Sequence, residues 1–270
     1  MADHLAAVSR RLRARCDSII AVVWTIRDLP ALAARVAPTG DIAPTAAAAL
    51  LAPINPLATT TQVATAWATS SAAELVEQRL TRAERDLSSI IGPSPDCIGR
   101  ALDLLWPAAA AGTVGGHALF AGLQSLPRPD TPVGELWRAC DMVREHRGAS
   151  HTNAWLAAGF DGVEINLVSE LWRDMPPRSV TCGQMAWADG DADAALERLI
   201  GRGVIARDGS ALTDSGRAQR DAVEAATERQ EASIVDALGD RADELLGLLE
   251  PWARAVMAAL ADRLPPIRAR

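Results

Sequence analysis

The chain has 270 residues, 49% of them apolar and 23% charged, with 2 Phe, no Tyr and 8 Trp. That length fills a sizeable core in one large or two ordinary domains without cross-links, and the abundant Ala, Leu, Arg and Glu favour helix over sheet. A formal net charge of -7 sets the overall field against phosphate, so any nucleic-acid contact needs a local basic patch, and Cys16, Cys97, Cys140 and Cys182 form no C-x-x-C pair for zinc or redox chemistry.

Residues 1–30 lack a signal-peptide layout, because Arg10, Arg11, Arg13 and Arg15 fall inside the first predicted helix. The apolar run Ile19 to Trp24 is too short to span a bilayer, so the expectation is a cytoplasmic protein with reduced thiols and no membrane partner. That first helix spans Leu5 to Ile26, and Pro30 restarts the chain as a short helix to Ala37. Pro38-Thr39-Gly40 ends it, Pro44 opens the alanine run Thr45 to Ala52, and Thr59 to Trp67 fits another short helix. Ser71 with Glu74 is a capping box for a helix over Ala72 to Ile91.

Asp96 to Trp106 reads as a helix that Pro107 kinks or stops. Gly112-Thr113-Val114-Gly115-Gly116 is a connector and not a dinucleotide fingerprint, since it lacks the G-x-G-x-x-G spacing and a preceding strand. A short helix covers His117 to Leu123. Thr131 caps a helix from Pro132 to about Arg147, with Gly148 as its terminator. Asp161 and Glu164 form a second capping box, for Gly162 to Asp174. A short helix near Gln184 to Ala188 and one over Asp191 to Arg202 follow. Val204 to Arg207 and Ala211 to Thr213, joined by Asp208-Gly209, carry the signal of a tight β-hairpin. A long helix then runs from Thr213 or Asp214 to about Leu238, and Ala242 to Leu264 supplies the last one, before a Pro265-Pro266 tail.

The expected fold is mainly α: a helical domain over 1–160, a winged helix-turn-helix with a short β-hairpin wing over 161–238, and a C-terminal helix over 239–270 that packs back on the body. Leu196-Glu197-Arg198-Leu199-Ile200-Gly201-Arg202-Gly203-Val204-Ile205 followed by Leu212-Thr213-Asp214-Ser215-Gly216 resembles the MarR-type winged helix. At whole-chain scale the sequence is similar to a poorly characterised actinobacterial helix-turn-helix family. Ala37-Pro38-Thr39-Gly40, Ala66-Trp67, Leu136-Trp137, Arg144-Glu145-His146-Arg147-Gly148 with His151, and Glu224-Ala225-Ala226-Thr227-Glu228 carry that resemblance. The leading expectation is a ligand-responsive winged-helix protein acting as a MarR-like transcription regulator. In a DNA reader the helix Asp191 to Arg202 would enter the major groove, with Arg198, Arg202, Arg207 and Arg217 as the candidate contacts. Asp189, Asp191 and Asp193 at its start oppose that role.

The densest cluster of mixed charge lies at 141–155. Arg144, His146, Arg147 and His151 suit an anionic small molecule, arginine offering a forked donor set and histidine a proton near neutral pH. Glu224 and Thr227 on the long helix, with Trp155 as a wall, complete the candidate ligand site. His146 and His151 are five residues apart and do not form a His-x-x-x-His metal pair, so no metal site is expected, and the sequence names no cofactor. Ser150 beside His151 lacks a nucleophile elbow. Three functions stay open: a small-molecule-responsive regulator, a biosynthetic or cofactor-binding enzyme using the His146/His151 region, and a protein-interaction scaffold. DNA and a second copy of the chain are candidate partners.

Overall fold

In the computed structural model, which describes residues 2–25 and 29–262, the chain folds into α-helices joined by turns, and no strand forms among the described residues. Helix α1 spans Ala2–Ile20 and tightens into a last turn at Ala21–Thr25. Helices α2 (Ala31–Val36), α3 (Pro44–Leu50) and α4 (Pro56–Trp67) are short. The last two begin on proline, whose missing N–H costs nothing at a first helical position. The Ser71/Glu74 capping box forms as the spacing predicts and starts α5, Ala72–Ile91.

Helix α6 (Ile98–Ala110) runs through Pro107, and α7 spans Ala118–Ser125. Thr131 accepts from the Gly134 N–H at 3.0 Å to open α8, Pro132–Ala157. The second capping box, Asp161/Glu164, opens α9 (Gly162–Trp172). A wide helical turn at Ser179–Gln184 precedes α10 (Asp189–Gly201), and α11 spans Asp214–Gln230. Helices α12 (Ala232–Leu238) and α13 (Ala242–Leu260) close the described chain. The expected helix ends at Ile26 and Leu264 and the Pro265-Pro266 tail lie outside the described residues.

The chain divides into two compact units. Among the described residues the first draws on 2–25, 29–42, 65–150 and 228–262. Its core joins Leu12 and Ile19 of α1, Leu105 of α6, Phe120 of α7, Trp137 of α8 and Leu249 of α13, all essentially without exposure. Its α1 and α13 pack along each other. Cys16 and Cys140 are buried in this core, whereas Cys97 is exposed.

The second unit draws on 43–64 and 151–227. Its core gathers Trp155, Phe160, Val168, Leu199, Val204, Leu212 and Val223. At Gly216 the first turn of α11 lies so close to the Val204 carbonyl that a Cβ would stand 2.0 Å from its oxygen, which requires glycine there.

The short helix expected near Gln184 to Ala188 lies instead at Ser179–Gln184, the long helix expected to reach Leu238 breaks at Glu231, and two further expectations need correction. The β-hairpin wing does not form, so this segment is helical with a turn and not a winged helix. One antiparallel bridge, Ile205 with Leu212, is flanked by Ala206 N–H to Ala211 O at 2.9 Å and Thr213 N–H to Val204 O at 3.0 Å. In place of a two-residue turn, Asp208 accepts from the Ser210 N–H (3.1 Å) and hydroxyl (2.8 Å), and Gly209 donates to Ala206 O. This closes the loop over four residues and leaves arms too short for a ladder. Gly148 also does not end α8, which runs on to Ala157. A glycine inside a helix costs about 1 kcal/mol, and the buried side chains of Arg147, Ser150, Ala154 and Trp155 on either side outweigh it.

Candidate functional site

The wide turn Ser179–Gln184, the four residues 185–188 and α10 have the layout of a helix-turn-helix. Both helical pieces pack on α9. Glu170 of α9 holds the first piece in place: its buried carboxylate accepts the backbone N–H groups of Arg178 (2.8 Å), Val180 (2.6 Å) and Thr181 (2.8 Å). These are orphan donors at a helical N-terminus, which favours an anion. Ala192, Ala195 and Leu199 turn the inner face of α10 into the core.

The outer face of α10 is acidic. Asp189, Asp191, Asp193 and Glu197 are exposed there. Its arginines are spent within the unit: Arg198 donates to Glu164 (3.0 Å) and Asp161 (2.7 Å), and Arg202 to Glu164 (2.9 Å). Arg202 also lies over the Phe160 ring at 5.1 Å. Hydrogen bonding to Glu164 raises the Arg198 guanidinium above its ordinary value. Arg178 pairs with Asp193 and approaches Asp189. Arg207 and Arg217, by contrast, are exposed and carry no side-chain partner among the described residues.

The polar stretch of α8 is inward and dense. In the first unit Arg79 makes a two-pronged bond to Asp141 at 2.6 and 3.0 Å while stacking over Trp137 at 4.8 Å. One turn on, Glu145 accepts from Nε and Nη2 of Arg35 at 2.8 and 2.9 Å and from Arg144. Burial alone would raise the Glu145 carboxyl, but Arg35 and Arg144 outweigh it and hold it down to about 2. Burial depresses the Arg35 guanidinium; at Arg144 burial acts the same way, but Glu145 and Asp17 overcome it and the net direction is upward.

His146 is fully buried, bonds Glu231 through Nδ1 at 2.8 Å and stacks on His117 with ring centroids 4.1 Å apart. Arg147 pairs with Glu228 at 2.7 Å. Of the expected ligand residues, Arg144, His146 and Arg147 therefore satisfy carboxylates of their own unit. Five residues along one continuous helix place His146 and His151 about 140° apart around its axis.

In the second unit His151 is half-buried and its Nδ1 lies 3.2 Å from the Thr227 hydroxyl. Thr227 gives its own hydrogen to Val223 O at 2.9 Å, so the His151 Nδ1 is the donor to Thr227. Glu224, one turn before Thr227, receives Arg220 at 2.9 Å. Arg220 is fully buried and stacks on Trp172 at 4.5 Å, and Trp155 sits in the core of the unit.

Sequence reading missed His117, Ser150, Glu228 and Glu231 as members of this network. The signal available was the recurrence of carboxylates at 224, 228 and 231, which on a helix form one stripe. Among the described residues no group of three His, Cys, Asp or Glu side chains is placed to hold a metal, and no helix is long and apolar enough to cross a membrane. No curated protein and no solved structure matches the chain. The model of a helix-turn-helix family matches residues 31–263, which spans both units and includes α9, the wide turn and α10, and the chain belongs to that helix-turn-helix family.

Proposed function

We propose that this protein is a ligand-responsive helix-turn-helix regulator, MarR-like in the order of its helices though not in its turn, that meets DNA through Arg207 and Arg217. The observation that carries this reading is the division of the arginines. Arg198 and Arg202 are neutralised by Asp161 and Glu164, while Arg207 and Arg217 stand exposed without partners among the described residues. Two phosphate contacts per chain give weak binding with a shallow salt dependence.

The small molecule is taken at His151 with Thr227 and Glu224. The imidazole there is half-buried and oriented by the Thr227 hydroxyl. Arg144, His146 and Arg147 fall outside this set because their N–H donors already serve Glu145, Glu231 and Glu228. The exposed carboxylates of α10 favour a second reading, in which the helix-turn-helix touches a basic protein surface in place of DNA.

A thermal-shift screen of small metabolites against the wild type and His151→Ala tests the ligand site. A ligand at about one hundred times its Kd adds about 2.7 kcal/mol of stability. A compound that stabilises the wild type and not the variant supports the reading, and equal stabilisation of both removes it.

A further inference from the structure

The hydrogen-bond directions around Glu231 fix all but one proton. Thr113 donates its backbone N–H to His146 Nε2 at 3.1 Å, so that nitrogen is bare and Nδ1 carries the hydrogen given to Glu231 Oε1. His117 Nδ1 lies 2.7 Å from the Gly115 carbonyl, which can only accept, so this nitrogen is protonated too. The Ser150 hydroxyl then stands 2.6 Å from Glu231 Oε1, 2.9 Å from His117 Nε2 and 3.1 Å from the His146 carbonyl, with a single hydrogen to give.

If Ser150 donates to Glu231, the contact with His117 needs a hydrogen on Nε2, and the ring is an imidazolium. If Ser150 donates to His117, the 2.6 Å approach of two oxygens needs a hydrogen on Glu231. If it donates to the His146 carbonyl, both need one. A neutral His117 beside an ionised Glu231 always leaves two lone pairs facing each other in a site where His117, Ser150 and Glu231 are all buried.

We propose that the chain His117, Ser150, Glu231 holds one shared proton, and that this proton latches the 112–117 loop onto α8. The loop seats directly on the histidine pair: a Cβ at Gly112 would stand 2.5 Å from Phe120 and 2.8 Å from His146. Its segment 113–116 is exposed and is the element that moves when the latch opens. The groups that face His117 are His146 and Ser150 from α8, Glu231 from the junction of α11 and α12, and the Gly115 carbonyl from its own loop. Burial lowers the His117 imidazolium and His146 adds to this, against the Gly115 carbonyl and Glu231. That changes how the proton is divided along the chain, whereas the need for one proton follows from the contacts at 2.6 and 2.9 Å.

In the unfolded chain a histidine near 6.5 and a glutamate near 4.3, roughly, both release their protons by neutral pH. A folded state that keeps the shared proton at neutral pH binds one more than the unfolded chain, so the stability this proton adds is lost as pH rises. The test is hydrogen exchange on the full chain from about pH 6 to about pH 9. The Thr113 and His117 amides should lose protection by about tenfold across one step, the equivalent of one hydrogen bond. His117→Gln supplies an N–H donor that does not titrate, so the step should vanish. A flat wild-type profile, or a step that survives in His117→Gln, overturns the proposal. If the variant does not fold, the wild-type profile alone decides.

Discussion

Glu164→Gln separates the two roles of the carboxylate that ties α10 to α9. Glutamine keeps an oxygen for the Asp161 N–H, which Glu164 now accepts at 3.3 Å, so the capping box survives. What is lost is the charge facing Arg198 and Arg202. Glu164 is 4% exposed, but the arginine side chains are 47% and 38% exposed, so solvent screens these pairs. Screened pairs contribute up to about 1 kcal/mol each, and removing a buried charge also recovers part of its desolvation cost. The expected loss of stability is therefore about 1–2 kcal/mol, read by urea unfolding. Arg202 then faces a neutral oxygen in place of a charged one, and Arg198 keeps only Asp161 as an anionic partner. DNA affinity at low salt should rise, and the slope of log K against log salt should steepen by about 1 to 2. An unchanged DNA affinity and slope in a variant that has lost this stability would refute the claim that Glu164 withholds these arginines from phosphate.

Other perturbations address the scaffold. Stability should fall as pH drops from about 4.5 towards about 2, because Glu145, held down to about 2, must be protonated in that window. Glu145→Gln should remove that part of the acid transition in pH-dependent unfolding. The same variant should lose about 3 kcal/mol at neutral pH by leaving Arg35 and Arg144 without their anion. Glu170→Ala should abolish exchange protection at the Arg178, Val180 and Thr181 amides while leaving that of α13 intact, since one carboxylate accepts all three.

What the sequence made legible was what local chemistry decides. The boxes at Ser71/Glu74 and Asp161/Glu164 place the starts of α5 and α9 because both partners lie within one turn. Asp208-Gly209 failed as a hairpin signal because Asp208 folds back on Ser210, and a two-residue turn preference cannot reveal that competition. Gly148 failed as a terminator because packing along α8 overrides a propensity of about 1 kcal/mol. His117 meets Ser150 across 33 residues, and Ser150 meets Glu231 across 81, separations over which no periodicity carries information. The acidic outer face of α10 was readable, but the spending of Arg198 and Arg202 on Glu164 was not, because it depends on how α9 and α10 cross.

The most direct test of the regulator reading is fluorescence anisotropy of duplex DNA titrated with the wild type and with Arg207→Glu/Arg217→Glu across a salt series. The account predicts binding at low salt with a slope of about -2 per chain, abolished in the double variant. No binding by the wild type at low salt, or binding that the double variant retains, would contradict it.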